Sequence, residues 1–242
     1  RMACHPTVLN GENLMLSADF PGALETCFED AELVAFVNGS CGDMSTRFTR
    51  RESSFAEMER LARMAADQLK TLLNQPEPLS PGESLTLSVH QNTFRVKAKV
   101  LDPVEVAEEK VRTLSAQVEQ ARREGADAQA LRLLESLKEG AENNLLSCRN
   151  ASGLREIPLS VSCIRLPSVN LITVPVELFS KLSNPVKTRW NAEFIGYTNG
   201  YSLYMADENA FDQQFYEAMS SPFEKGAGEQ LIREIGDWLA TL

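Results

Sequence analysis

The residues that could do chemistry gather in one stretch, Leu33-Val34-Ala35-Phe36-Val37-Asn38-Gly39-Ser40-Cys41-Gly42-Asp43-Met44-Ser45. Five apolar residues stop at a cluster of small, turn-forming ones, the pattern of a buried strand ending in a tight loop. The loop holds three candidate nucleophiles, Ser40, Cys41 and Ser45, one carboxylate, Asp43, and glycines that let the backbone approach a ligand. A hydroxyl beside glycine amides, those around Gly42 included, suits acyl transfer with a stabilised oxyanion. The same residues also make an ordinary turn. Two more apolar segments end at polar groups. Leu171-Ile172-Thr173-Val174-Pro175-Val176 runs into Glu177, and Phe194-Ile195-Gly196-Tyr197 runs into the segment that ends at Tyr204. In α/β folds, sites collect where strands end. Three such ends shift the expectation toward an enzyme.

The protein has two histidines. His5 lies in the loop-like stretch 1–22, ahead of a proline that restrains its backbone. Asp19 could orient its imidazole from behind, as carboxylates do for metal-binding histidines. Asp19 could instead cap a helix expected over Ala23–Glu29. His90 stands among polar residues, out of phase with the apolar ones, and reads as an exposed strand residue.

The elements that must position these groups follow from periodicity. A helix is expected over 54–73, with Ser54 and Glu57 as a capping box and Met58, Leu61, Ala62, Ala65, Leu69 and Leu72 on one face. Gln75-Pro76-Glu77-Pro78 is expected to end it. Residues 84–101 alternate about Gln91-Asn92 and predict a β-hairpin. Residues 104–146 carry apolar positions at steps of three and four on either side of Gly125, which predicts an antiparallel helical hairpin. That hairpin could pack on its own domain or serve as a homodimer arm. Further strands are expected over 155–166, 171–175 and 194–197, and an amphipathic helix over 229–242. The fold class is therefore α/β, a mixed β-sheet flanked by helices and interrupted by an inserted helical hairpin. The catalytic domain would comprise 1–103 and 147–242.

Bulk properties exclude several function classes. A net charge of −10 with no basic block disfavours nucleic acid and anionic membrane surfaces. No apolar run is long enough to cross a bilayer, so no transmembrane segment is expected. Five cysteines without a CxxC pair imply neither a disulfide framework nor a cysteine zinc site.

Taken in order, several segments resemble the neutral/alkaline non-lysosomal ceramidase family. They are His5-Pro6-Thr7, Ser17-Ala18-Asp19, Phe36 through Ser45, Pro175-Val176-Glu177, Thr198-Asn199-Gly200-Tyr201-Ser202-Leu203-Tyr204, Phe215-Tyr216-Glu217 and Gly226-Ala227-Gly228-Glu229. The resemblance covers most of the chain except the helical hairpin. It implies a zinc-dependent amidase that splits the N-acyl bond of ceramide, or of another N-acyl lipid-like substrate. It implies zinc held by His5, Glu177 and Tyr204, with Tyr201 the fallback, and by a second histidine expected upstream of His5. It implies Ser45 as nucleophile and Tyr216 as a contact to the reacting carbonyl. Gly42, Asp43 and Asp19 then support the loop and the metal ligands. Val176 and Thr46 depart from the family pattern, which has glycine and proline there. The family's additional C-terminal β-sandwich domain is not expected in a chain that ends in a helix. A secreted or periplasmic location is the one the resemblance favours. The competing expectation is a non-catalytic binding or scaffolding module that keeps the fold, with the acidic hairpin as its partner surface.

Overall fold

The computed structural model describes residues 2–73, 86–150 and 153–242. Its centre is a four-stranded mixed sheet of β1 (Ser88–Lys97), β2 (Glu156–Leu166), β3 (Val169–Thr173) and β5 (Ala192–Ile195), in the order β1-β2-β3-β5. The first two pairings are antiparallel and β3 runs parallel to β5. Two very short strands, β4 (Glu177–Leu178) and β6 (Tyr204–Met205), form a separate parallel pair.

Alternation builds the sheet. Phe94, Val96, Leu159, Val161, Cys163, Ile172 and Phe194 are buried on it. They pack with α5 (Ser180–Trp190) and α8 (Ala227–Leu239) in the main core. Leu231, Ile232, Ile235 and Leu239 form the inward stripe of α8 at helical spacing. A second, smaller core joins Val8 to Phe20 and Leu24 of α1 (Asp19–Glu25) and to Met58, Ala62 and Ala66 of α2 (Phe55–Leu73).

The helical hairpin forms as expected, α3 (Val104–Glu124) and α4 (Ala128–Arg149), and it makes the connection from β1 to β2. Gly125 closes α3 in the left-handed region, and the Asp127 carboxylate caps α4 by accepting from the Ala130 amide. α4 packs against α7 (Tyr216–Ser220) of the same chain. At the contact sits Gly140, where a Cβ would stand 2.7 Å from Met219 Cε and 3.1 Å from Tyr216 Cα.

Several local expectations change. The buried strand over Leu33–Val37 is instead an extended segment with no ladder. Leu33 is 84% exposed, Val34 and Phe36 are half-buried, and Phe36 lies edge-on to Phe20 at 6.4 Å. The segment's backbone is tied at a few points: Phe36 N donates to Glu25 Oε1 at 2.7 Å and Met2 N to Val37 O, while Gly39 N, just beyond it, donates to Met2 O. The hairpin expected over 84–101 is a single strand, because 156–166 supplies a longer partner; Leu85 lies outside the described residues, as does the Gln75–Pro78 end of α2. His90 is half-buried, in phase with Phe94 and opposite Cys163, and its Nε2 lies 3.2 Å from Ser88 Oγ. The helix expected over Ala23–Glu29 begins earlier, at Asp19. The short helices α5, α6 (Glu208–Asp212) and α7 were not expected from periodicity, since each is too brief or too interrupted to show one.

Half of the expected capping box is present. Glu57 N donates to Ser54 Oγ at 3.1 Å, but the Glu57 carboxylate takes the Arg51 amide and the Arg60 guanidinium instead of the Ser54 amide. The hydrogen bonds from Arg60, and next the one from Arg51, hold the Glu57 carboxyl at about 2, below its ordinary 4.5. A depressed folded-state pKa stabilises the fold above the unfolded value and loses that contribution as pH falls through the folded one. Glu57→Gln is therefore expected to lower the urea midpoint at pH 7, and the gap to wild type should close as pH falls from 4.5 through about 2. Urea titrations across that range, followed by circular dichroism, check this.

Candidate active site

Two short parallel pairings assemble the site. His5 bridges to Ser45, and Glu177 pairs with Tyr204. A backbone-to-backbone bond joins them: Gly42 N donates to Leu178 O at 2.9 Å. A Cβ on Gly42 would collide with the Glu177 carbonyl oxygen and stand 2.8 Å from Phe179 Cδ1, so glycine is what lets these backbones meet. The Gly42 amide itself is thereby engaged with Leu178, so of the amides expected around Gly42 this one is not available to an oxyanion.

Four expected residues converge. His5 Nδ1 lies 3.0 Å from the Met44 carbonyl. A carbonyl only accepts, so Nδ1 carries a proton and Nε2 is the ring nitrogen turned into the site. Nε2 lies 2.5 Å from Glu177 Oε2 and 3.4 Å from the Tyr204 hydroxyl. Tyr201 donates its hydroxyl to the other carboxylate oxygen, Oε1. Tyr204 therefore stands on the imidazole side, and Tyr201 holds the back of the carboxylate. Glu177 is 4% exposed. Burial would raise its carboxyl, but the hydrogen bonds from His5 and Tyr201 outweigh it and hold the group below its usual range. His5 moves the opposite way: burial lowers its pKa, while Glu177 and the Met44 carbonyl raise it further. Burial, then the Glu177 charge, pushes Tyr204 up, so its phenol stays protonated.

The three candidate nucleophiles separate by burial. Ser40 and Cys41 are 1% and 0% exposed. Burial pushes the Cys41 thiol up to about 11, with the Tyr197 hydroxyl 3.2 Å away only partly opposing it, and a protonated, enclosed thiol is inert. Ser45 is exposed. Its Oγ accepts from Arg47 N at 3.1 Å and lies 3.4 Å from Thr7 Oγ1.

Tyr216 stacks edge-on to Tyr204, ring centroids 5.8 Å apart. Asn143 Nδ2 on α4 donates to its hydroxyl at 3.4 Å, which leaves the phenolic proton free. Arg47 lies over the same ring at 5.6 Å and donates to Ser136 Oγ of α4 at 3.1 Å. Glu217 is half-buried beside it. Burial raises its carboxyl against the pull of Arg47 and His5.

Asp43 and Asp19 are occupied elsewhere. Asp43 accepts from Ser180 N at 2.7 Å and Ser180 Oγ at 2.8 Å, placing negative charge at the start of α5. Asp19 accepts from the amides of Val8 and Leu9 and does not touch the imidazole; it shapes the loop that carries His5. Tyr197, Met44, Arg47, Ser136 and Asn143 were not anticipated. Tyr197 could have been singled out from the tyrosine-rich segment 197–204, whereas the others act through contacts that span the chain. The 197–203 loop is strained: Tyr197, Asn199 and Leu203 have φ of 57°, 62° and 59°. Such conformations cost about 1–3 kcal/mol each and gather where side chains must be aimed.

Among the described residues no third His, Cys, Asp or Glu joins His5 and Glu177 in a metal-holding group, and the other oxygen donors there are phenols. No helix among them is long and apolar enough to cross a membrane.

The fold is shared with neutral ceramidase from Pseudomonas aeruginosa, at 14% identity and a TM-score of 0.61 over 99% of this chain and 43% of that one. It is also shared with a ceramidase complexed with C2, at 13% identity and a TM-score of 0.65 over 99% of this chain and 44% of that one. The chain thus has a ceramidase-like fold and spans less than half the length of the ceramidase chains it matches. No family model and no curated protein matches the sequence.

Gly42→Ala is expected to destabilise the protein by about 2 kcal/mol or more, since the new methyl must displace backbone. Chemical denaturation measures the loss. Loosened packing at the Gly42–Leu178 seam should also expose Cys41 to thiol reagents in the folded protein.

Proposed function

We propose that this chain is the catalytic part of a zinc-dependent amide hydrolase that cleaves the N-acyl bond of a ceramide-like or other N-acyl lipid-like substrate. The observation that carries the reading is the convergence of His5 Nε2, Glu177 Oε2 and the Tyr204 hydroxyl on one point of a ceramidase-like fold. Nitrogen and oxygen donors of these kinds suit zinc. His5, Glu177 and Tyr204 would hold it, with a further donor from outside the described residues. The proton now shared by His5 and Glu177 is what a cation would replace. When bound, zinc supplies Lewis acidity to the scissile carbonyl.

The chain's own groups supply the rest. Ser45 is the accessible hydroxyl, and we assign it the attack on the carbonyl carbon. Arg47 N already donates to the Ser45 oxygen; attack would form the acyl–Oγ bond and break the acyl–nitrogen bond, the Ser45 proton leaving on the departing amine, and water would then hydrolyse the ester. Tyr216, its hydroxyl accepting from Asn143, can turn its own proton onto the carbonyl oxygen. Met44, Leu203 and Phe215, neighbours of Ser45, Tyr204 and Tyr216 in sequence, are apolar yet well exposed. Exposed apolar residues beside the candidate site residues in sequence suit a substrate that carries a hydrocarbon chain.

Two measurements test the reading. Zinc should be present at about one ion per chain, by mass spectrometry of protein carrying its preceding segment, and His5→Ala or Glu177→Ala should abolish it. A negligible zinc content, with both variants unchanged, would leave the non-catalytic scaffold as the surviving alternative. Ser45→Ala should retain zinc and lower turnover of N-acyl sphingosine by about 10³-fold or more; full activity would exclude the serine route in favour of water. Hydrolysis of N-acyl amino acids in place of N-acyl sphingosine would keep the chemistry and reassign the substrate.

A further inference from the structure

Leu14, Met15 and Leu16 are 95%, 71% and 106% exposed, three consecutive large apolar side chains left in water. Isolated exposed leucines need no explanation, but a continuous run on one loop does. The run is held in place. Asn10 Oδ1 accepts from Glu12 N at 3.1 Å and the Asn10 carbonyl from Asn13 N at 3.1 Å. Asn13 in turn brackets Met15, donating to its carbonyl at 2.9 Å and accepting from its amide at 3.2 Å. The base is closed by the buried Asp19 carboxylate, which takes the amides of Val8 and Leu9 at 3.1 and 2.8 Å. The backbone hydrogen bonds hold an ordered tip whose three side chains are left mostly in water.

What would cover such a tip follows from its shape and charge. Successive side chains on non-helical backbone diverge, so one rigid protein face cannot enclose all three, whereas a fluid apolar phase closes around them. Between Asn10 and Asp19 the only charged residues are Glu12 and Asp19, and there is no Lys or Arg. The whole chain carries −10. Arg63 and Lys70 line the recess beside Ser17–Asp19, but they share it with Glu29 and Glu59, and the overall charge opposes anionic lipid, so the surface that fits is zwitterionic. We propose that Leu14, Met15 and Leu16 form an interfacial anchor that seats this face of the protein on a zwitterionic lipid surface. The loop leaves the chain three residues after His5 and closes back onto it at Asp19, so an inserted tip keeps the His5 loop at the lipid boundary. The inference goes beyond the amidase reading, and it is measured without turnover.

The test uses the full chain with sucrose-loaded phosphatidylcholine vesicles. Wild type should co-sediment, and the triple variant Leu14→Ser, Met15→Ser, Leu16→Ser should partition on the order of tenfold more weakly. Its circular dichroism should be unchanged, since these side chains support no packing. Met15→Trp adds a direct probe: vesicles should shift its emission to the blue, after subtraction of the parent spectrum, and phosphatidylcholine with brominated acyl chains should quench it. Adding phosphatidylserine should not strengthen binding, and salt should not release it. Wild-type binding that is absent, unchanged in the triple variant, or accompanied by a water-exposed Trp emission overturns the proposal. So does a wild-type dimer that the triple variant converts to monomer with no vesicle binding, which would make the tip a contact between copies. Loss of vesicle binding with amide hydrolysis intact rejects only the anchor. Vesicle binding without zinc or hydrolysis rejects only the amidase reading.

Discussion

The buried carboxylate of Glu177 is the constraint around which the site is organised. A carboxylate removed from water is costly unless its oxygens are paired. Here one oxygen faces His5 and the other takes the Tyr201 hydroxyl. These partners come from the first loop of the chain and from the strained loop before β6, so satisfying one buried charge draws together segments 172 and 24 residues apart. Tyr204 and Met44 complete the enclosure by closing on His5 from its two ring nitrogens. The imidazole and the carboxylate hold each other across one short hydrogen bond.

Bringing such distant segments together requires backbones to approach without side chains between them. Gly42 does this at the seam between the His5–Ser45 bridge and the Glu177–Tyr204 pair. Asp43, next along, fastens the same loop to the first residue of α5. The loop is therefore tied on both sides of Gly42, and Ser45 is left projecting at its end. Ser40 and Cys41, on the inner side, are lost to solvent and to chemistry.

The helical hairpin is joined to this arrangement and is more than an appendage on the domain. Through Gly140 it packs closely on α7, and through Ser136 and Asn143 it holds Arg47 and Tyr216. An insertion that connects two adjacent sheet strands thereby becomes the wall behind a candidate catalytic tyrosine. Its outer surface carries exposed ion pairs such as Arg112–Glu109 and Arg122–Glu119, each of small energetic weight.

The sequence alone determined what depends on local periodicity and short-range chemistry. The helical hairpin, α2 with its Ser54 cap and α8 were legible because their apolar spacing repeats over several turns, and β2 because it alternates over many residues. The residue types at the site were legible too, since histidine, carboxylate, tyrosine and serine are few and lie in distinctive settings. Tertiary structure decided what those types do. It paired β1 with β2 where a local hairpin had been expected, because the longer ladder lies across the insertion. It left Leu33–Val37 without a ladder, because no neighbouring strand reaches it. It consumed the Gly42 amide, sent Asp43 to α5 and Asp19 to the Val8 and Leu9 amides, and left Ser45 exposed while burying the other two candidate nucleophiles. Burial, backbone pairing across the chain and the sharing of a buried charge are properties of the assembled fold, and no local pattern encodes them.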